Sequence, residues 1–463
     1  MAEMKNVEEK TIEAPGVREP TEMEFTEGGV KAWMSVAASF LFNISTWAVN
    51  SSYAVYLAHY LKYETFPDAS KLDYAAIGGL AFGTGMLFSP IVRLILRTFG
   101  LRVCIGSGAV LQFIGIMLAA FSTTLWEVYM TQGLMMGLSL ALIALPSITI
   151  IPQWFRKKRG LAVAIGVTGS GVGGILFNLA LQSIVDKHGL KWALIVEAII
   201  CSTCTVTGLI LVRSRADQIK INMSLWDWSM LKHSCFWLFS CYVIFTVLGY
   251  VVLMYNLADF TISLGYSSHD GSVVSCMIAV GIVFGRPMIG KLSDMFGCVT
   301  VAIFANISVS IFCFAMWIPT RNLASVLVFA LIQGGTMGTI WVVLAPVAIR
   351  LFGLRKMDIS LGMIWIVIGS CGLASPIIGI ELRSSAPQGK STDPTQYLDP
   401  AIWCGSVYLA GAIVMWFIRG YLISRDEDAE KLESHADNDE LHIPVNWHSS
   451  FKNLFSLSKT RKV

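Results

Sequence analysis

The stretch Gln132-Gly133-Leu134-Met135-Met136-Gly137, which leads to Pro146, has a counterpart in the second half of the chain. There the sequence reads Gln333-Gly334-Gly335-Thr336-Met337-Gly338 and leads to Pro346. Each stretch lies in the fourth apolar run of its half. The match predicts that the chain contains two structural repeats.

Two further matches follow in the same order along the chain. Pro90 with Phe99-Gly100 matches Pro287 with Phe296-Gly297, and Gly169-Ser170-Gly171 matches Gly369-Ser370-Cys371-Gly372. Three ordered matches indicate two six-helix halves that enclose a site near the middle of a membrane.

The composition indicates a membrane protein. Of 463 residues, 55% are hydrophobic and 14% are charged, with a mean hydropathy of +0.64, whereas ordinary soluble domains carry about 25% charged residues. A membrane-spanning helix needs ~20 apolar residues, and hydrocarbon excludes free peptide groups. The sequence therefore predicts an all-α membrane protein with twelve transmembrane helices, at 31–56, 74–98, 102–121, 126–150, 158–182, 192–212, 234–258, 270–290, 298–318, 323–346, 358–380 and 401–423.

These spans divide the chain into five segments. We predict a cytosolic N-terminal tail (1–30), a first six-helix bundle (31–212), a central cytosolic loop (213–233), a second bundle (234–423) and a cytosolic C-terminal tail (424–463). Basic residues, above all Arg156-Lys157-Lys158-Arg159, concentrate in the loops on the side of the termini, which predicts that both termini are cytosolic.

The expected partners are a small-molecule substrate and the lipid bilayer. A net charge of +3 gives no indication of nucleic-acid binding. We expect no cofactor and no metal, because the chain contains no ATP-binding motif and no cysteine–histidine cluster at zinc spacing. We also expect a functional monomer. The plasma membrane is the expected location, with a vacuolar or other internal membrane as the alternative.

Loop motifs resemble those of a known family. Gly290-Lys291-Leu292-Ser293-Asp294-Met295-Phe296-Gly297 resembles the loop motif of the major facilitator superfamily. Trp154 to Ala162, continuing to Gly169–Gly174, resembles the signature of its monocarboxylate porter branch, and Asn50 to Tyr60 is similar to the yeast monocarboxylate-permease homologues. The resemblance implies alternating-access transport, with proton symport as one possibility. Members of the fungal branch also include a riboflavin carrier.

The chain departs from that branch at charged positions. Animal lactate carriers have a lysine where Ser51 stands and an aspartate where Ile282 stands. The first-half loop reads Arg97-Thr98-Phe99-Gly100 without the usual aspartate. The proton–lactate relay of those relatives is thus not expected here in its known form, and the sequence names no proton-carrying group.

Arg286 is the first candidate for substrate binding, because it interrupts the eighth apolar span just before Pro287. A charge at that depth costs ~2.5–3.5 kcal/mol and normally faces a cavity, and a guanidinium binds carboxylates with two hydrogen bonds. It also matches the substrate-binding arginine of the family. The alternative is an arginine that extends to the lipid headgroups.

Further candidates are polar or aromatic residues within the spans. For each, helix packing is the alternative to substrate binding. The predicted substrate-binding residues besides Arg286 are Trp47, Asn50, Ser51 and Tyr53 in span 1, Asn178 and Gln182 in span 5, and Trp341 and Trp365 in spans 10 and 11.

The loop motif supplies the predicted gating residues, Asp294, Gly290 and Gly297. A carboxylate there can bind the N-terminus of a neighbouring helix and close one end of the bundle. An ordinary loop carboxylate is the alternative.

The sequence predicts a secondary transporter of a small organic anion similar to a monocarboxylate. One alternative is a carrier of riboflavin or another uncharged or aromatic solute, and another is a non-transporting sensor on the same fold. An enzyme finds no support, because the histidines are scattered and no nucleophile motif is present.

Overall fold

The computed structural model describes residues 28–50, 53, 56, 59–60, 66, 69, 71–215, 226–383, 393–431 and 453. Ser51 lies outside the described residues, and so do the N-terminal tail up to residue 27 and most of the chain beyond residue 431.

Among the described residues, twelve long helices run back and forth across the bundle. The first half contains α1 (Val30–Asn43, continued by a π-helical turn Ile44–Ala48 and by helical residues at 49, 50, 53 and 56), α2 (Lys71–Leu87 and 89–99), α3 (101–119), α4 (Leu125–Gln153), α5 (Arg159–His188) and α6 (Leu190–Leu211). The second half contains α7 (Ser234–Ser263), α8 (Ser268–Phe296), α9 (Cys298–Trp317), α10 (Leu323–Phe352), α11 (Met357–Glu381) and α12 (Leu398–Lys431). The predicted all-α fold of twelve spans is confirmed.

In each half, the chain turns sharply between two helices at an equivalent glycine. Gly100, between α2 and α3, has φ 79° and ψ 173°, and Gly297, between α8 and α9, has φ 95° and ψ 144°. Positive φ is accessible to glycine without a steric penalty. The repeated Phe-Gly pair thus makes the same sharp helix-to-helix turn twice.

The faces of α3, α6, α9 and α12 that point away from the bundle carry exposed apolar side chains, among them Phe113, Ile210, Phe304 and Ile413. Phe304 is 66% exposed. A water-soluble protein would not leave such continuous apolar faces uncovered. These four helices therefore form the lipid-facing sides of the bundle.

Four helices join the halves: α2 packs against α11, and α5 packs against α8. The two pairs are equivalent under the sequence repeat. We call the end of the bundle at which α1 begins and α12 ends the termini end, and the other the far end.

Helix α12 extends past the predicted boundary at Ile423 and ends at Lys431. Arg425 and Asp426 are buried there, the Arg425 Nη1 donates to the Arg350 carbonyl over 2.9 Å, and Asp426 pairs with the Arg350 guanidinium. These contacts with α10 hold the added turns, so the start of the predicted tail belongs to the second bundle.

Close helix approach explains the repeated glycine stretches. A Cβ atom on Gly285 of α8 would lie 2.2 Å from the Gly335 Cα atom of α10. In the first half, a Cβ atom on Gly137 of α4 would lie 2.7 Å from the Ala81 carbonyl oxygen of α2. Both repeats thus use small residues to bring two backbones into contact, as membrane helices commonly do.

We predict that Gly285→Ala destabilises the protein by ~1–3 kcal/mol, because the methyl group has no room and the helices must separate. Gly335→Ala is the matched control, because a Cβ atom there would meet its nearest neighbours at 3.5 Å, an ordinary contact. Thermal unfolding of the purified variants in detergent measures the difference. Equal melting temperatures would contradict the proposed close packing.

Candidate functional site

Aromatic side chains from both halves meet where α1 and α2 approach α10 and α11. The ring centroids of Trp47 and Trp341 are 5.1 Å apart, and those of Trp47 and Phe82 are 5.7 Å apart. Trp341 stacks on Trp365 at 6.1 Å, and Tyr250 packs edge-on against Trp341 at 5.8 Å. We call these five residues the aromatic cluster. The structure thus brings three of the predicted substrate-binding residues together at the interface of the halves.

Arg286 lies beside this cluster and reaches across the interface. Its side chain is 4% exposed, and its Nη1 atom donates to the Val167 carbonyl oxygen over 2.7 Å and to the Ser170 hydroxyl over 2.6 Å. Both acceptors belong to α5 of the other half. A side chain this buried does not extend to lipid headgroups, as the alternative interpretation required.

The Arg286 guanidinium is incompletely satisfied. Among the described residues, its Nε atom has no hydrogen-bond partner and no carboxylate forms a salt bridge with it. Its only described electrostatic neighbour is the Tyr250 phenol of the aromatic cluster. A buried cation without an anionic partner is costly, so the site has the electrostatic character of an anion-binding site.

Helix α10 is interrupted beside Arg286. Gly338 separates its two segments, Leu323–Thr336 and Thr339–Phe352, and a Cβ atom on Gly338 would lie 3.1 Å from an Nη atom of Arg286. The glycine of the second repeated stretch therefore leaves space for the guanidinium, a role its sequence position alone did not reveal.

Asn50 and Tyr53 lie elsewhere, although they follow Trp47 closely on α1. Both line a cavity of about 520 Å³ inside the first half, and the Tyr53 hydroxyl donates to the Tyr74 carbonyl over 2.8 Å. The π-helical turn Ile44–Ala48 accounts for the separation. It adds a residue to one turn and so rotates the positions that follow it.

Asn178 and Gln182 are half-buried on α5 and are not brought to Arg286. They follow Ser170 by two and three helical turns, which places them ~12 Å and ~18 Å further along the axis. The Gln182 side chain donates to Asp186 of its own helix over 3.0 Å.

The Asp294 carboxylate at the end of α8 binds the first turn of α5 in the other half. Its Oδ1 accepts from the Gly160 backbone N–H over 2.7 Å, and its Oδ2 accepts from the Leu161 N–H over 2.9 Å. It satisfies N-terminal donors that have no intrahelical partner, and its charge is favourable there. Gly290 allows the approach, because a Cβ atom on Gly290 would lie 2.4 Å from the Ala164 Cβ atom and 2.6 Å from the Gly160 carbonyl oxygen.

The equivalent place in the other repeat holds a pair that the sequence analysis did not identify. Pro90 and Pro287 are equivalent in the two repeats, and Arg93 and Gly290 each follow their proline by three residues. Arg93 of α2 is therefore the counterpart of Gly290 of α8. The Arg93 Nη1 donates to the Asp358 carbonyl oxygen, and the Asp358 side chain is buried at the start of α11. We call this the Arg93–Asp358 pair.

A signal was present in the sequence: Asp358 is an acid placed in the first turn of a predicted span, at the position that Gly160 holds in α5. A cavity of about 430 Å³, lined by Arg93, Asp358 and Trp365 among others, connects this pair to the aromatic cluster.

Comparison with known proteins agrees with this architecture. The family model described as Major Facilitator Superfamily matches residues 36–376. A Saccharomyces cerevisiae protein named "Probable transporter MCH2" is 45% identical over 94% of this chain and 91% of its own length. "Uncharacterized transporter ESBP6", also from S. cerevisiae, is 30% identical over 87% of this chain and 61% of its own length.

Among solved structures, the proton:xylose symporter XylE bound to 6-bromo-6-deoxy-D-glucose superposes with a TM-score of 0.62. The match covers 84% of this chain and 94% of that one, at 13% identity, and therefore concerns the fold. With twelve helices in two repeats, a family match over most of its length and close fungal relatives named as transporters, this chain belongs to the Major Facilitator Superfamily of membrane transporters.

Proposed function

We propose that this protein carries a small organic anion, of the carboxylate class, across a membrane by alternating access. The observation that supports the proposal is the Arg286 guanidinium, which is buried between the halves and forms no salt bridge with any described carboxylate. A substrate carboxylate would supply the missing charge through two parallel hydrogen bonds. The aromatic cluster would cover the apolar part of the substrate.

Substrate binding and helix movement are coupled in this proposal. The Arg286 Nη1 atom now binds Val167 and Ser170 of α5. A carboxylate that takes over these hydrogen bonds releases α8 from α5 at the centre of the interface. The anion thus lowers the free-energy cost of separating the halves by binding the separated state more tightly.

Two contacts at the termini end would act as latches in the same cycle. One is the Asp294 carboxylate on the first turn of α5, and the other is the Arg93–Asp358 pair between α2 and α11. Both connect the halves and neither lies at the far end. We propose that the described conformation is closed at the termini end by these latches.

The aromatic cluster supports a second candidate substrate. Trp341 and Trp365 stack nearly parallel, with an interplanar angle of 11°, and Trp47 lies against Trp341. Such a surface suits a flat ring system such as a flavin. A carrier of uncharged aromatic solutes would use this surface and would not require the charge of Arg286.

We propose further that the termini end faces the cytosol and that the protein works as a monomer in the plasma membrane. Arg156, Lys157 and Lys158 are exposed at the termini end, and cytosolic loops are the ones that carry excess positive charge. Fluorescence imaging of a C-terminally tagged copy tests the membrane assignment, and a vacuolar signal would overturn it.

We predict that Arg286→Gln lowers uptake of a carried anion ~10- to 100-fold, since hydrogen bonds to a charged group contribute ~1.5–3 kcal/mol. Uptake of labelled lactate, pyruvate, riboflavin and glycerol is measured in proteoliposomes. Arg102→Gln, which removes an exposed charge of α3, is the matched control and should transport normally. Full anion uptake by Arg286→Gln would refute the assignment, and riboflavin uptake that persists in Arg286→Gln would favour the second candidate.

For the latches, we predict that Asp294→Asn opens the termini end about fivefold more often, because the amide keeps one acceptor oxygen but loses the second hydrogen bond and the charge at the N-terminus of α5, together ~1 kcal/mol. Maleimide labelling of Leu145→Cys, in a chain whose native cysteines are replaced, reports the opening, since Leu145 lines the 430 Å³ cavity. Asp259→Asn, which removes the partner of Arg383 at the far end, is the control.

The Arg93–Asp358 pair is tested in the same assay. Arg93→Gln and Asp358→Asn should each increase labelling, and their combination should increase it by less than the product of the two effects. Independent effects would show that the two side chains do not act as a pair.

A further inference from the structure

The 520 Å³ cavity of the first half lies apart from Arg286 and the aromatic cluster. Its walls come from α1, α2, α3, α4 and α6, with no residue of the second half among the described residues that line it. The polar lining includes Asn50, Tyr56, Gln112, Gln132 and Glu197. It is therefore a separate site inside one bundle, with polar groups in a largely apolar wall, which the proposed anion site does not use.

Glu197 is the acid of this cavity. It stands on α6, whose outer face is exposed to lipid, but its own side chain is 1% exposed and turned inward. The Tyr56 hydroxyl donates to its Oε2 atom over 2.6 Å. The sequence analysis named no proton-carrying group, because a glutamate on a peripheral helix gave no sign that it would face a cavity.

Two amide oxygens in the cavity wall also need a donor. The Gln112 side-chain nitrogen donates to the Ser45 carbonyl, and the Gln132 nitrogen donates to the Tyr60 hydroxyl over 2.8 Å. This leaves both Oε1 atoms buried without a partner. Buried acceptors of this kind cost free energy until a donor reaches them. The cavity thus presents a carboxyl group and two acceptors to whatever enters it.

Tyrosine and cysteine side chains are among the described neighbours of Glu197. Tyr56 of α1 and Cys201 of α6 interact with it, and Tyr53, Tyr60 and Tyr74 lie beyond Tyr56. The described residues that line the cavity include no lysine, arginine or histidine. A species that satisfies the two amide oxygens and the carboxyl group brings hydrogen-bond donors, as a hydrated proton does.

We propose that this cavity is a proton-binding site and that Glu197 takes up and releases one proton in each transport cycle. The carboxylate receives H⁺ from H₃O⁺, so one O–H bond forms on Glu197, one breaks on hydronium and a water molecule leaves. The proposal rests on the anion-transport function proposed above. One proton on Glu197 and one carboxylate on Arg286 would make the cycle electroneutral.

Helix α1 connects the two sites. It carries Asn50 and Tyr56 in the cavity wall and Trp47 in the aromatic cluster. Protonation of Glu197 removes the charge that the Tyr56 hydroxyl now binds, which changes how α1 is held against α6. Because Trp47 belongs to the same helix, the change reaches the interface of the halves.

The deciding experiment is infrared spectroscopy of the purified full-length protein as the pH is varied. We expect a buried carboxylic acid C=O band that titrates in the wild type and is absent in Glu197→Gln. Glu127→Gln removes an exposed glutamate at the start of α4 and should keep the band. An unchanged band in Glu197→Gln overturns the proposal, whether or not any anion is carried.

A second, conservative variant provides a test that remains valid if Glu197→Gln does not fold. Tyr56→Phe keeps the carboxyl group but removes the hydrogen bond to its Oε2 atom, so the band should persist with a displaced midpoint. An unchanged midpoint would show that the titrating group is not Glu197.

Transport then separates this proposal from the anion-carrier proposal. For any anion that the wild type carries, Glu197→Gln should lose stimulation by an inward proton gradient but keep exchange of labelled for unlabelled anion. Retained stimulation overturns the proton role alone. If the wild type carries no anion while the Glu197 band titrates, the substrate proposal fails and the proton site stands.

Discussion

The contact between α5 and α8 is the interaction on which the remaining structure depends. At its centre, the Arg286 guanidinium bonds to Val167 and Ser170, and at the termini end Asp294 binds the first turn of α5. Hydrocarbon provides no alternative partner for these groups. The halves can separate only if something else binds the same groups, and this requirement ties opening to the arrival of a ligand or of water.

The two equivalent interfaces, α5 with α8 and α2 with α11, are held at the termini end by different polar contacts. In one interface, the acid is on α8 and its partner is the backbone of α5. In the other, the Arg93 guanidinium on α2 donates to the backbone carbonyl oxygen of Asp358 at the start of α11. The two contacts therefore respond differently to water and to charge, although the helices that carry them are equivalent.

Much of the architecture could be predicted, because its causes are local. Repeated glycines bring helices together, and positive φ at Gly100 and Gly297 turns the chain. The site was predictable in part: Arg286, Trp341 and Trp365 are brought to the interface, but the π-helical turn in α1 directs Asn50 elsewhere. Neither that turn nor the inward direction of Glu197 on an otherwise lipid-facing helix follows from hydropathy.

We propose that the halves rock about the Arg286 site. Electron–electron distance measurement between spin labels at Phe99 and Phe296, equivalent exposed positions on the two halves at the termini end, tests it most directly. We expect two distances, with the longer one populated more when a carried anion is added or the pH is lowered. A single distance that stays constant while the labelled protein transports its substrate would contradict it.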